Sequence, residues 1–83
     1  MKRSKLEEYV TIVQILLIHG SIKLTEIESL VHVERIELRK DLAFLLEQNA
    51  IEKKPSGASW VYVASQLGVK LVKYFGLNPL IEK

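Results

Sequence analysis

The sequence has 83 residues, a formal net charge of +2, 48% hydrophobic residues, 27% charged residues and no cysteine. A chain of this length forms one domain, and the apolar content is enough for a core. The absence of cysteine excludes disulfide bonds, thiol nucleophiles and thiolate metal sites. The longest apolar stretch, Val10–Ile18, is far shorter than the ~20 residues that cross a bilayer, and no secretory signal is visible. We therefore expect a cytoplasmic protein without membrane contact.

The net charge conceals an uneven distribution along the chain. Residues 1–52 contain seven Lys and Arg against nine Asp and Glu, whereas residues 53–81 contain four Lys and no acidic residue. Lys2, Arg3 and Lys5 add positive charge near residue 1. This pattern indicates either an ordinary hydrated surface or a contact surface for a polyanion, and the fold must decide between them.

The first predicted element is a helix over residues 5–19. Ser4 and Glu7 have the spacing of a capping box, and Gly20 ends the helix. Apolar residues at helical spacing predict one inward face: Leu6, Val10, Val13 and Leu17. The apolar surface extends further around the helix, so either the helix is deeply buried or a second face meets another chain. That second face consists of Tyr9, Ile12 and Leu16.

A short strand and two helices are predicted next. Residues 21–24 alternate in polarity, as in an edge strand, and Thr25 is predicted to cap a second, short helix. A third helix runs from about Glu34 to Gln48, and Asn49 suits the left-handed conformation that follows many helices. The inward residues of the third helix are Leu38, Leu42, Leu45 and Leu46, and its outer face is predicted to carry Glu34, Arg35, Glu37, Arg39, Lys40 and Asp41.

The rest of the sequence predicts a β-hairpin followed by a helix. Strands are predicted at residues 51–54 and 60–63, around turn-forming residues 55–59. Ser65 caps a last helix that continues to about Phe75. The order helix, strand, helix, helix, hairpin, helix predicts an α+β, mostly helical fold. This fold is a winged helix-turn-helix that forms a single domain over residues 1–83.

Two segments resemble small prokaryotic winged-helix transcription regulators. The first combines Leu24–Leu30, Val33, the leucines of the third helix and the step Asn49-Ala50-Ile51 into the hairpin. The second is Tyr62–Gly68 followed by Leu71-Val72, which is similar to the start of the helix after the wing in many archaeal members. The resemblance covers about residues 6–76. It includes the MarR, ArsR and PadR-like groups and compact archaeal and archaeal-virus regulators, so archaeal and viral sources are among those it implies.

The resemblance implies double-stranded DNA as the partner, with the third helix in the major groove and the wing on phosphates or in a minor groove. The residues implied on the helix are Arg35 and Arg39 for guanine, Ile36 for a thymine methyl, Glu37 for a cytosine amino group and Lys40 for a phosphate. Further backbone contacts are implied for Ser21, Thr25, Lys53, Lys54, Ser56, Gly57 and Ser59.

Three acidic residues on the third helix depart from the family's pattern. Family members mostly present Ser, Thr, Gln and Arg there, whereas this helix has Glu34, Glu37 and Asp41. Besides base contact, these acids have an alternative role as helix caps and ion-pair partners. Carboxylates close to phosphates would lower the DNA affinity expected of this helix.

Other kinds of site have little support in the sequence. His19 and His32 are the only histidines, and neither has carboxylates at metal-ligand spacing, so we expect no metal site. No nucleophile motif, phosphate-binding loop or dinucleotide motif is present, so we expect neither an enzyme nor a cofactor. Trp60 either anchors the hairpin on the core or stacks on a ligand or a nucleic-acid sugar.

The apolar residues near both ends of the sequence form the predicted dimer interface: Tyr9, Ile12, Leu16, Tyr74, Phe75, Leu77, Leu80 and Ile81. In the family such ends commonly form a two-fold interface, which implies a homodimer with recognition helices ~34 Å apart. The predicted function is sequence-specific binding of double-stranded DNA in transcription regulation. The alternative is a winged-helix module that binds another protein through the charged helix and Trp60.

Overall fold

The computed structural model describes residues 4–76, and the side chains of residues 4–74. Its elements follow the predicted order. They are α1 (Lys5–His19), β1 (Ser21–Ile22), α2 (Leu24–Val31), α3 (Arg35–Glu47), β2 (Ile51–Ser56), β3 (Ser59–Ala64) and α4 (Gln66–Leu71), which continues as a π-helical segment, Val72–Gly76. Across this part of the chain, no helix is both long enough and apolar enough to cross a membrane.

Both ends of α1 are formed by the residues predicted for them. The Ser4 hydroxyl accepts a hydrogen bond from Glu7 N at 3.1 Å, and Ser4 N donates to Glu7 Oε1 at 3.1 Å, which completes the capping box. Gly20 has φ +88° and donates its N–H to Leu16 O at 2.8 Å. A residue with a Cβ is strained at such a φ, so glycine suits this helix end.

The helix α2 begins two residues earlier than predicted, since Lys23 and not Thr25 occupies its N-cap position. Lys23 N donates to Glu26 Oε1 at 3.0 Å. This hydrogen bond satisfies a backbone N–H at the helix start, where no carbonyl of the helix is available as an acceptor. Thr25 therefore lies within the first turn, where it is exposed. His32 ends α2 in the left-handed conformation with φ 57°, and the resulting tight turn leads directly to α3.

The three strands form an antiparallel sheet in the order β1-β3-β2. The hairpin strands are longer than predicted, and the turn shrinks to two residues in which Gly57 has φ +63°. Side chains alternate across the sheet, so one face carries Ile51, Lys53, Pro55, Trp60 and Tyr62. This face is buried at Ile51 and exposed at Trp60, so the outer half of the hairpin extends beyond the core.

The core joins α1, α2, α3 and the base of the sheet through fully buried aliphatic side chains. The core includes Ile12 and Leu16 at 1% exposure, so at these two positions α1 is deeply buried. This corrects their predicted place in a dimer interface. Leu6 and Leu17, which were predicted to face inward, are exposed. Substituting Leu16 with a polar residue would consequently unfold the subunit and not merely separate two copies.

A compact junction connects α3, the hairpin and α4. Asn49 adopts the predicted left-handed conformation with φ 63°. The Ser65 hydroxyl donates to Asn49 O at 2.6 Å and accepts from Gly68 N at 3.1 Å, and Ser65 N donates to Ala50 O at 3.1 Å. A Cβ at Gly68 would overlap the Ala50 carbonyl. Ser65 and Gly68 thus suit this junction, because α4 starts directly against the step from α3 into β2.

Candidate nucleic-acid interface

The exposed side of α3 carries three of the residues predicted to contact DNA. Leu38, Leu42 and Leu45 are buried in the core, so the opposite side of α3 faces outward. Residues three and four positions apart on a helix lie on the same side, and on the outward side these are Ile36, Arg39 and Lys40. Ile36 is 71% exposed, and the side chains of Arg39 and Lys40 are exposed next to it. Within residues 4–74, neither Arg39 nor Lys40 has an acidic partner. We refer to Ile36, Arg39 and Lys40 as the α3 strip.

Arg35 is held by an acid on α2. Its Nε and Nη2 donate to Glu28 Oε1 at 3.1 and 2.8 Å, and these hydrogen bonds raise the pKa of Arg35. The pair connects the first turn of α3 to α2. Sequence reasoning missed this contact, because Glu28 and Arg35 lie seven residues apart on either side of a turn. Arg35 can contact a guanine only after leaving Glu28.

Two of the acids on α3 face α1 and not the α3 strip. Asp41 is 1% exposed, which corrects its predicted position on the outer face. Lys5 Nζ lies 2.7 Å from Asp41 Oδ1 and 3.4 Å from Glu8 Oε1, and it also donates to Glu37 Oε2. Burial raises the pKa of Asp41, while the hydrogen bond from Lys5 opposes that rise. The pKa of Lys5 is raised by its hydrogen bonds to Asp41 and Glu37.

These four residues, Lys5, Glu8, Glu37 and Asp41, form what we call the Lys5 cluster. One carboxylate oxygen from each of the three acids lies within 4.8 Å of the other two, which is a spacing that suits metal ligands. The Lys5 ammonium contacts all three acids and so supplies the positive charge that they need. No pattern in the sequence identifies the cluster, because Lys5 on α1 lies 32 residues from Glu37 and 36 residues from Asp41 on α3.

The hairpin presents basic and aromatic side chains beyond the core. Trp60 is 54% exposed, so it does not anchor the hairpin on the core. Lys53 Nζ lies 5.3 Å from the centre of the Trp60 ring and 5.9 Å from that of Tyr62, as in cation–π contacts. On the other face, Lys54 Nζ is 3.7 Å from Glu52 Oε1, an exposed pair of little energy.

The remaining residues predicted to contact the DNA backbone lie at two places. Ser56 and Gly57 are exposed at the hairpin turn, and Ser59 is half-buried beside them. Ser21 and Thr25 are exposed in β1 and in the first turn of α2. Their side chains are accessible, as a phosphate contact requires.

An apolar groove of about 550 Å³ lies between α1, α3 and α4. Tyr9 from α1 and Phe44 from α3 stack at one side with ring centres 4.6 Å apart. The lining residues used below are Leu6, Tyr9, Phe44, Leu67, Leu71 and Tyr74. Two residues of the predicted dimer interface, Tyr9 and Tyr74, thus border one apolar surface. The Phe75 side chain and the predicted interface residues Leu77, Leu80 and Ile81 lie outside the described residues.

Comparison with known proteins relates the chain to others through its structure alone. No protein-family model matches the sequence, and no curated protein matches it. The crystal structure of the oxidised form of MarR from E. coli superposes with a TM-score of 0.74 at 16% identity, over 84% of this chain and 59% of that one. The crystal structure of RV1404 from Mycobacterium tuberculosis superposes with a TM-score of 0.70 at 16% identity, over 99% of this chain and 60% of that one.

These similarities confirm the predicted fold class. Over residues 4–76, the chain has the winged-helix fold of MarR, with four helices and a three-stranded antiparallel sheet. It spans about three fifths of the length of both solved structures. At 16% identity the comparison establishes the fold, and function must be argued from the residues that this chain places on it.

Proposed function

We propose that this chain binds double-stranded DNA in a sequence-specific manner and regulates transcription, with α3 as its recognition helix. The observation that carries the proposal is the α3 strip, in which one apolar and two basic side chains project from a helix whose other side is anchored in the core. A major groove admits one α-helix and displays the donors and acceptors of the base edges. The helix-turn-helix arrangement of α2 and α3 suits this insertion.

In the α3 strip, two residues are assigned to the recognition of bases and one to a contact with the DNA backbone. Arg39 suits bidentate hydrogen bonding to guanine, and Ile36 suits contact with a thymine methyl. Lys40 suits a phosphate, which adds affinity without sequence preference. Of the two arginines predicted to read bases, Arg39 is the one we assign to that role, because Arg35 is paired with Glu28.

Backbone affinity in this proposal comes mainly from the hairpin. Residues 53–74 include four lysines and no acidic residue, and Lys53 and Lys54 lie on its exposed outer half. The exposed backbone amides and hydroxyls at Ser56 and Gly57 suit phosphate oxygens, as does Thr25 in the first turn of α2. These contacts would orient the protein without carrying sequence information.

The proposal is tested by selection from random duplex DNA, followed by salt titration of the selected and a random sequence. Binding to both should weaken as salt rises, with a slope of log affinity against log salt of about −0.9 per phosphate contact. The selected sequence should bind at least tenfold more tightly than the random one. Failure to enrich any sequence, together with salt-independent or absent binding, would refute the proposal.

We also propose that two copies associate through the apolar groove. A monomeric protein gains nothing from exposing so many apolar side chains together, and Leu6, Leu67 and Tyr74 are all exposed there. A two-fold dimer presents two recognition helices to half-sites one helical turn apart. A palindromic consensus from the selection would support this arrangement.

One alternative function has an observation of its own in its favour. The apolar groove and the 54% exposed Trp60 are also features of surfaces that bind other proteins. A protein-binding module with an incidental basic hairpin would show no sequence preference in the selection. The two functions are therefore separated by the same experiment.

A further inference from the structure

The outer half of the hairpin presents an exposed aromatic and basic surface on one side of β2 and β3. We call this surface the Trp60 face, and it consists of Lys53, Pro55, Trp60 and Tyr62. The register places Pro55 directly opposite Trp60 and Lys53 directly opposite Tyr62. Side chains directly opposite each other are the closest neighbours across a pair of strands, so the four form one continuous surface. Trp60 is 54% exposed, so its ring is accessible to a ligand.

The charge on the Trp60 face is positive and is not neutralised by an acidic side chain. Lys53 Nζ lies 5.3 Å from the centre of the Trp60 ring and 5.9 Å from that of Tyr62. Within residues 4–74, Lys53 has no acidic partner. The acid of the hairpin, Glu52, lies on the other side of β2 and pairs with Lys54. The face therefore combines an exposed ring with an ammonium group that is available to an anion.

We propose that the Trp60 face binds single-stranded DNA, with an unpaired base stacked on the Trp60 ring and its phosphate at Lys53. Aromatic rings beside basic side chains hold single strands, because every base has a flat face and every nucleotide has a phosphate. One sugar separates the base from the phosphate, so a base stacked on the ring brings its phosphate close to the ammonium. Only two side-chain torsions orient the indole, so little conformational entropy is lost on binding.

The chemistry of the Trp60 face favours an unpaired base over an intact duplex and over a protein. In a duplex, neighbouring base pairs cover the flat face of each base, and the grooves display only base edges. A base that is already unpaired can stack on a ring without the free-energy cost of leaving the duplex. The centre of a protein interface is depleted in lysine, whereas here a lysine lies beside the exposed ring.

Stacking at the hairpin goes beyond sequence-specific binding of duplex DNA and uses a part of the molecule other than the α3 strip. It would give the chain a preference for duplex DNA that adjoins unpaired nucleotides, such as a strand extension or an open bubble. It also assigns a role to Trp60, which the contacts proposed for α3 and for the hairpin lysines do not use.

The experiment measures binding to the selected duplex with two kinds of single-stranded extension at its ends. One extension consists of about ten thymidines, a length within the range of single-strand binding sites. The other has the same number of abasic deoxyribose phosphates, so it carries the same charge but no base. Fluorescence anisotropy of labelled DNA is recorded for the unmodified protein, Trp60→Ala and Trp60→Phe. Ile18→Ala is the matched control, because Ile18 is 77% exposed on α1 and lies outside the hairpin.

The unmodified protein should bind the thymidine-extended duplex about five- to 150-fold more tightly than the abasic one, the effect of one base–aromatic stack. Trp60→Ala should lose this difference and bind the abasic-extended duplex as tightly as the unmodified protein does. Trp60→Phe should keep part of the difference, and Ile18→Ala should keep all of it. Lys53→Ala should weaken binding to both DNAs, because both extensions carry phosphates.

Equal affinity of the unmodified protein for the two extensions would overturn the proposal, and a protein would then be the remaining candidate partner of the Trp60 face. A Trp60→Ala variant that keeps the difference would also overturn it. So would an equal loss on both DNAs for Trp60→Ala, because Trp60 would then contact the duplex or support the fold, which circular dichroism distinguishes.

The outcome for the proposed function is separate. Free oligothymidylate and the free abasic oligomer are titrated in the same way, because the Trp60 face requires no duplex. If the selection enriches no sequence, but the unmodified protein prefers oligothymidylate and Trp60→Ala does not, the proposed function fails and single-strand binding stands. If a sequence is enriched and neither thymidine probe is preferred, single-strand binding fails and the proposed function stands.

Discussion

Lys5 on α1 and Asp41 on α3 are 36 residues apart in sequence and form an ion pair with a distance of 2.7 Å between Nζ and Oδ1. Asp41 is buried, whereas Lys5 remains half-exposed. The acid therefore bears a desolvation cost that its partner largely avoids. This asymmetry has a consequence for how the stability of the protein depends on pH.

Asp41→Asn should change the pH dependence of stability. Burial and the neighbouring Glu8 raise the pKa of Asp41 above its ordinary 3.8 in the folded protein, and Lys5 opposes this rise. The folded state then holds the proton more strongly than the unfolded chain. The free energy of unfolding consequently falls as pH rises from about 3.8 through the raised pKa.

The measurement is a series of thermal melts of the unmodified protein and Asp41→Asn between pH 3.5 and pH 7, with the exposed Glu47→Gln as control. As pH rises in this range, the melting temperature of Asp41→Asn should increase relative to that of the unmodified protein. Parallel curves would contradict the raised pKa.

Gly68→Ala should destabilise the junction between α3 and α4. The added Cβ would overlap the Ala50 carbonyl, which is backbone and cannot rotate away. We expect a loss of about 1–3 kcal/mol in the free energy of unfolding, measured by urea denaturation.

Gly57→Ala is the matched control, because a Cβ there meets no atom within 4 Å but imposes strain at φ +63°. It should cost about 1 kcal/mol. An equal or smaller loss at Gly68 would show that the Ala50 carbonyl can move.

The features that the sequence predicts correctly are formed by neighbouring residues. The Ser4 and Glu7 capping box, the left-handed Asn49 and the cap at Ser65 each depend on a few consecutive positions. The same is true of the hairpin, where turn-forming residues separate two strands. Local hydrogen bonding determines these elements, so their order and hence the fold class follow from the sequence.

Apart from the N-cap of α2 and the ends of the hairpin strands, the errors concern which side of an element faces inward and which residues meet across the fold. Because α1 is apolar around most of its circumference, its periodicity does not distinguish the buried Ile12 and Leu16 from the exposed Leu6 and Leu17. The burial of Asp41 depends on Lys5, which is 36 residues away in sequence, so no local pattern predicts it. The α3 strip was predictable because it opposes three regularly spaced leucines.

Arg39→Ala and Lys54→Ala should affect DNA binding in different ways. Arg39 on α3 is assigned to a base, so its removal should cost about 1–3 kcal/mol on the selected sequence and little on random duplex. Lys54 on β2 is assigned to a phosphate, so its removal should weaken both sequences alike and reduce the salt slope by about 0.9. Electrophoretic or anisotropy titrations at several salt concentrations measure both quantities. A uniform loss for Arg39→Ala would remove it from base recognition.

Leu67→Lys should convert the proposed dimer to a monomer without unfolding it. Leu67 is exposed on α4 and lines the apolar groove, so a charge there would be buried between two copies. Sedimentation equilibrium at micromolar concentration measures the association, and circular dichroism checks the fold.

Ile18→Lys is the matched control for this variant. Ile18 is 77% exposed on α1 and does not line the groove, so its replacement should leave the dimer intact. A monomeric unmodified protein, or equal dissociation by both variants, would contradict association through the groove.

The fluorescence of Trp60 should report whether the hairpin contacts DNA. It is the single tryptophan in the sequence, and its ring is half-exposed beside Lys53. If the hairpin contacts the duplex, the ring leaves water, and its emission should shift or be quenched on titration with DNA. Lys53→Ala should reduce the amplitude and lower the affinity by about 1 kcal/mol or less, as for one exposed charge. Tight binding with unchanged emission would place the hairpin away from the DNA and leave α3 as the principal contact.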